Sequence, residues 1–117
     1  MKNNALLNLS MQFATDIESL CFSLKKSNCS NIVFQIKKSS SSIYANISEA
    51  QYSQSLPDML SKFKIARKEC METESWLNLL LKSSYITEET YKPLRNMCGR
   101  IRRLLTSSCI TIESKIK

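Results

Sequence analysis

The sequence predicts an all-α protein, an antiparallel four-helix bundle with up-down-up-down order. Three observations carry that prediction. The 117 residues include one glycine, Gly99, and two prolines, Pro57 and Pro93, whereas β-sandwiches and hairpins need turn residues roughly every 8–12 positions. Apolar side chains recur at steps of three and four in four separate segments, the mark of helical faces. Short stretches with capping signals divide the segments. A chain of this size supports one hydrophobic core, and no internal repeat or linker divides it, so residues 1–117 are expected to form a single domain.

The first helix is expected over about 5–27, with Leu6, Leu9, Phe13, Ile17, Leu20 and Leu24 on one face. Asn3 or Asn4 is placed to cap it, and Lys25–Lys26–Ser27–Asn28 to end it.

The second segment contains four consecutive serines, Ser39 to Ser42, and resembles a linker by composition. The period decides otherwise. Ile36, Ser40, Ile43, Ile47 and Ala50 step by four, three, four and three straight through the serines. A second stripe of Gln35, Ser39, Ser42, Asn46 and Glu49 keeps the same register beside it. Serine is a middling helix former because its hydroxyl competes for the backbone, so packing must hold this helix, and its small side chains admit a close neighbour.

The third helix opens on Ser55-Leu-Pro-Asp58, with Ser55 as N-cap, Pro57 in the first turn and Asp58 in the reciprocal capping-box position. Met59, Phe63, Ala66, Cys70, Thr73, Leu77 and Leu80 form its stripe, widened by Trp76 and Leu81, and it should end near 82–84. Residues 85–89 read as a turn, with Thr87 capping the fourth helix and Glu88 and Glu89 complementing its dipole. Leu94, Met97, Ile101, Leu105, Ser108 and Ile112 form the last seam. Four such helices with short connections pack antiparallel by default.

The composition excludes much chemistry. The chain has no histidine, and therefore no Ser–His triad, no Cys–His pair and no Glu-x-x-His ligand pattern. With Gly99 alone, no glycine-rich phosphate loop can form. The five cysteines, Cys21, Cys29, Cys70, Cys98 and Cys109, include no C-x-x-C pair. They are expected to be buried, reduced thiols acting as small hydrophobes, as suits a reducing cytoplasm. The first twelve residues lack the apolar core of a signal peptide. The longest apolar run, 79–81, falls far short of the ~20 residues that span a bilayer, so a soluble cytoplasmic chain without membrane attachment is expected. A carboxylate-only site from Glu49, Glu69, Glu72 and Glu74 is conceivable, but solvated or paired glutamates are the expected reading, and no cofactor or enzymatic activity is expected.

Two features remain. The polar stripe Gln35–Ser39–Ser42–Asn46–Glu49 reads either as a hydrogen-bonded seam between helices or subunits or as a ligand groove, and the seam is favoured because every buried polar group needs a partner. Charge is the other. The net charge is +7, and residues 90–117 hold 7 Lys/Arg against 1 acid, while residues 1–89 are nearly balanced at 10 against 9. Lys92, Arg95, Arg102 and Arg103 lie on or beside one face of the fourth helix, flanked by Arg100. Lys62, Lys64, Arg67 and Lys68 open the third helix, and Lys37 and Lys38 precede the serines. A solvated face is the plain reading. Arginine's bidentate grip on phosphate makes the alternative a nucleic-acid backbone site, salt-sensitive and weakly sequence-selective. No aromatic ladder accompanies the charges, which disfavours single-strand base stacking.

Residues 34–50, Phe-Gln-Ile-Lys-Lys-Ser-Ser-Ser-Ser-Ile-Tyr-Ala-Asn-Ile-Ser-Glu-Ala, resemble the helix-two signature of the bacterial four-helix-bundle protein family. Gln35, Ile36, Ser42, Ile43, Asn46, Ile47 and Glu49 match it, and Lys37 and Lys38 stand where that signature has arginines. Residues 63–77 resemble its third-helix pattern at Ala66, Glu72 and Glu74, and residues 83–94 its following connection. The chain departs from the pattern at Tyr44 (usually proline), at the serines (usually alanine), at Ala50 (usually glycine) and at Lys68–Glu69 (usually a small pair). The family includes proteins encoded in intervening sequences of large-subunit rRNA genes, often labelled ribosomal. It also includes the accessory variability determinant of diversity-generating retroelements, a basic pentameric ring that binds a reverse transcriptase and nucleic acid. The resemblance thus implies a homo-oligomer, a pentamer by analogy, with RNA or DNA and a reverse transcriptase as candidate partners. The combined expectation is a non-catalytic oligomeric adaptor that binds RNA or DNA through Lys37, Lys38, Lys92, Arg95, Arg100, Arg102 and Arg103. Its rivals are a protein–protein scaffold with no nucleic-acid role and a small-molecule or metal-binding bundle with a pocket at Glu49 and Glu72.

Overall fold

The computed structural model describes residues 4–117, which form four helices joined by short connections: α1 (Asn4–Ser23), α2 (Ser30–Ala50), α3 (Leu56–Lys82) and α4 (Glu88–Ile116). Connections this short return each helix beside the last, so the bundle runs up-down-up-down. Each helix packs against its two neighbours, α1 on α2 and α4, α3 on α2 and α4, and among the described residues the backbones of the diagonal pairs stay more than 8 Å apart. The body measures 49 × 20 × 20 Å, close to the ~43 Å that 29 residues of helix span.

The serine tract is helical throughout, inside α2. Ile36, Ser40, Ile43, Ile47 and Ala50 are all buried. The hydroxyls of Ser39, Ser40 and Ser41 turn back onto the carbonyls of Ile36, Lys37 and Lys38 at 3.1–3.3 Å, which satisfies them locally and leaves the face narrow enough for α3 to approach.

The other elements follow their sequence signals, with corrections at the ends and seams. α1 stops at Ser23 rather than near 27, and Leu24 to Ser27 form a turn that still buries Leu24. Asn4 is already helical, and Asn3, the other proposed cap, lies outside the described residues. Ser10 rather than Leu9 completes the buried face, because its hydroxyl is satisfied by the Leu7 carbonyl at 2.8 Å. Ser55 caps α3 by accepting from the Asp58 N–H at 3.2 Å, but the Asp58 carboxylate accepts in return from the Gln54 N–H, one residue before the cap. Thr87 caps α4 through the Thr90 N–H. α4 runs on through Pro93 in its second turn at the loss of one backbone donor. Its buried seam is Leu94, Cys98, Gly99, Ile101, Leu105, Cys109 and Ile112; Met97 and Ser108 lie at the margin.

All five cysteines are buried and unpaired. Cys98 donates to the Cys70 carbonyl at 3.4 Å across the α3–α4 seam. A side-chain hydrogen bond with the Cys70 thiol, together with burial, pushes the Cys98 thiol strongly up, and burial raises Cys29 and Cys109. Neutral thiols of this kind pack as small hydrophobes.

Candidate nucleic-acid interface

The polar stripe on α2 faces α3. Thr73 donates to Ser39 at 2.7 Å, the Ser42 hydroxyl meets the Glu69 carboxylate, and Glu49 pairs with Lys62 at 3.0 Å. Asn46 donates to the Ser42 carbonyl and hydroxyl of its own helix. Only Ser39 is buried; Ser42 and Asn46 are half-buried, while Gln35 and Glu49 are exposed. The stripe is therefore wet along most of its length, because α3 covers one edge of it. The four glutamates do not gather. Glu49 and Glu74 are each paired to a cation, and Glu69, raised by burial and by neighbouring Glu72, remains on the α2–α3 side. Among the described residues no three His, Cys, Asp or Glu lie close enough to hold a metal ion.

The cations divide between faces. Lys37 pairs with Glu18 of α1 at 3.6 Å, and Lys38 lies near Glu69 of α3. Both sit on α2, the helix diagonal to α4, so they do not extend the α4 arginine cluster. Lys62 is taken by Glu49, and Lys64 by Glu113 of α4 at 3.3 Å. Arg100 is exposed and does not line the notch that its neighbours form. Lys92 is exposed two helical turns before Gly99 on the same face.

Arg95, Arg102 and Arg103 converge. With Glu74, Asn96 and Gly99 they line a notch of about 140 Å³. Spacings of three, four and seven residues place Arg95, Gly99, Arg102 and Arg103 on one helical face. Gly99 is their floor. A Cβ there would stand 3.3 Å from Arg103 Nη1 and 3.8 Å from Arg102 Nη2, so both guanidinium heads fold over bare backbone. Glu74 of α3 accepts from Arg102 Nε at 2.9 Å, fixing that side chain by one edge and leaving its Nη groups toward the glycine. The bond also holds the Arg102 guanidinium more firmly protonated. From the notch a wider groove continues between α3 and α4, lined by Arg67, Ser75, Asn78, Arg102 and Thr106. Arg67 and Glu74 thus join the site through tertiary packing, and Gly99 joins it as the residue without a side chain. The one sequence signal for the glycine was its solitary place among four arginines.

Elsewhere, Phe22 and Phe34 are 76% and 63% exposed and flank a groove between α1 and α2 that Cys21, Leu24 and Val33 line together with Glu18, Lys25 and Lys37. The two phenylalanines, with charged residues at their margin, lie on the side of the bundle away from the α3–α4 groove.

Fold and site together define a small all-α bundle protein with a basic groove on one side. The sequence profile of the 23S rRNA-intervening sequence proteins matches residues 2–107, and the chain belongs to that family. It is also similar to the solved structure of a protein of unknown function from the S23 ribosomal protein family of Bacteroides thetaiotaomicron. The two share 39% identity and superpose with a TM-score of 0.86, over 89% of this chain and 97% of that one. Comparison with curated proteins yields no match. Among the described residues no helix is long and apolar enough to cross a membrane.

Proposed function

We propose that this chain is a non-catalytic, oligomeric adaptor that binds the phosphate backbone of RNA or DNA along its α3–α4 groove. The observation that supports the reading is the gathering of Arg67, Arg95, Arg102 and Arg103 around one continuous groove, with Glu74 the one acid lining it. Guanidinium groups suit phosphate because their fork of donors bonds it bidentately. Family membership links the chain to rRNA intervening sequences, which makes structured RNA the natural first ligand to test. The exposed Phe22–Phe34 patch supplies the second half of an adaptor. Apolar surface of this kind marks protein contact, and it leaves the basic side open when another copy of the chain, or a polymerase such as a reverse transcriptase, occupies it. Five reduced thiols fit such an assembly in the cytoplasm.

Filter binding at two salt concentrations tests the proposal. Four phosphate contacts should cost about a hundredfold in affinity between roughly 50 and 200 mM salt. Arg102→Ala together with Arg103→Ala should weaken binding to all sequences alike. Absence of binding at the lower salt ends the nucleic-acid role and leaves the rival favoured by the phenylalanine patch, a scaffold that joins proteins only.

A further inference from the structure

The notch and the groove are not alike, and the difference points to a particular ligand. Resting on the reading above, we propose that the Gly99 notch seats the terminal phosphate monoester of a nucleic-acid strand, with the chain leading away along the α3–α4 groove. The notch is the more enclosed of the two and holds about 140 Å³, whereas the groove is wider and more open. The smaller space has room for a single phosphate group among the three guanidinium heads. Glu74 and Arg102 line both spaces, so a ligand seated in one runs directly into the other.

Charge selects the same ligand. Three guanidinium groups face the notch against the single Glu74 carboxylate. A phosphate monoester carries about −1.5 to −2 at neutral pH and ends the chain, so it matches both the charge and the enclosure. An internal diester carries a single charge and needs an exit on two sides. Glycine completes the seat, since a Cβ at 99 would press on the head of Arg103 at 3.3 Å and touch that of Arg102 at 3.8 Å. Glu74 is a positioning residue: it takes the Nε edge of Arg102 and leaves the Nη edge for the ligand.

The experiment compares one short oligonucleotide in three forms: 5′-phosphorylated, 3′-phosphorylated and without terminal phosphate. Affinity is read by fluorescence anisotropy at fixed salt, with inorganic phosphate as competitor. At least one phosphorylated form should bind about tenfold or more tightly than the bare strand, the size of one or two charge-assisted hydrogen bonds, and inorganic phosphate should erase that preference. The two phosphorylated forms decide which strand end is recognised. Gly99→Leu fills the floor and should bring the ratio near one, while circular dichroism confirms a helical, cooperatively melting protein. Arg95→Ala, at an exposed position, makes the same test without touching the helix backbone. Equal binding of all three forms, or a ratio unchanged in both variants, overturns this inference and leaves backbone binding along the groove in place. If none of the three binds at low salt, the underlying nucleic-acid reading falls as well.

Discussion

Thr73 of α3 donates its hydroxyl to Ser39 of α2 at 2.7 Å, in a part of the bundle closed to solvent on both sides. Ser39 passes the bond on to the Ile36 carbonyl at 3.3 Å, and the Thr73 oxygen also lies 2.8 Å from the Glu69 carbonyl. Two hydroxyls thus share one donor path between two helix backbones. It is a fully buried polar contact that ties α2 to α3.

Removing either partner should be felt, though not severely, since the survivor keeps a carbonyl of its own helix. Ser39→Ala and Thr73→Val are each expected to cost about 1 kcal/mol, the net worth of a neutral hydrogen bond. The double variant should cost less than the sum of the two. Urea denaturation of all four proteins measures this, and strict additivity would show that the hydroxyls do not cooperate.

Ser84 stands where a helix usually ends on glycine. Its φ of 64° lies in the left-handed region. The Tyr85 N–H bonds the Leu80 carbonyl at 2.9 Å and the Ser84 N–H bonds the Leu81 carbonyl at 3.0 Å, the paired bonds of a Schellman ending. A side chain in this conformation costs roughly 1–2 kcal/mol, and a glycine in its place gives back part of that as unfolded-chain entropy. Ser84→Gly should raise stability by about 0.5–1 kcal/mol, visible as an increase in Tm of several degrees. Loss of stability would mean that the Ser84 side chain holds the turn in some other way.

Burial pushes the Cys21 thiol up to about 11, with Glu18 adding to the effect and Lys37 opposing it. Because the folded protein favours the neutral thiol, this stability is complete below the ordinary thiol value near 9 and is lost as pH rises through about 11. Cys21→Ala should therefore cost about 1 kcal/mol at roughly pH 8 through lost packing, and distinctly less near pH 11, where the wild-type thiol must ionise. Denaturant midpoints of both proteins at the two pH values give the answer. A penalty that does not change with pH would show that Cys21 does not ionise in that range.

Much of the fold was legible because helical periodicity is a local property. Ile36, Ser40, Ile43, Ile47 and Ala50 needed only their spacing to declare a buried face, and the serines between them could not disguise it. Ser55 and Thr87 announced their helices because an N-cap is satisfied within one turn. The errors lie where a local signal had to be completed by a neighbour. Leu9 and Ser10 compete for the same face of α1, and the smaller, self-satisfied side chain won the closer approach. Met97 and Ser108 fit a seam that Cys98 and Cys109 occupy, because α3 meets α4 slightly to one side of the expected stripe.

The chain's own order of residues determined four helices, the N-caps of α3 and α4, a polar stripe on α2 and a surplus of arginine in the last quarter. Those follow from short-range sterics and from patterns repeating every turn. Which cations act together was decided only by tertiary packing. Lys37 and Lys38, near neighbours of the serines in sequence, sit on a helix diagonal to the arginines, whereas Arg67 and Glu74 reach them from α3. Charge acts through space, and the bundle alone sets those distances.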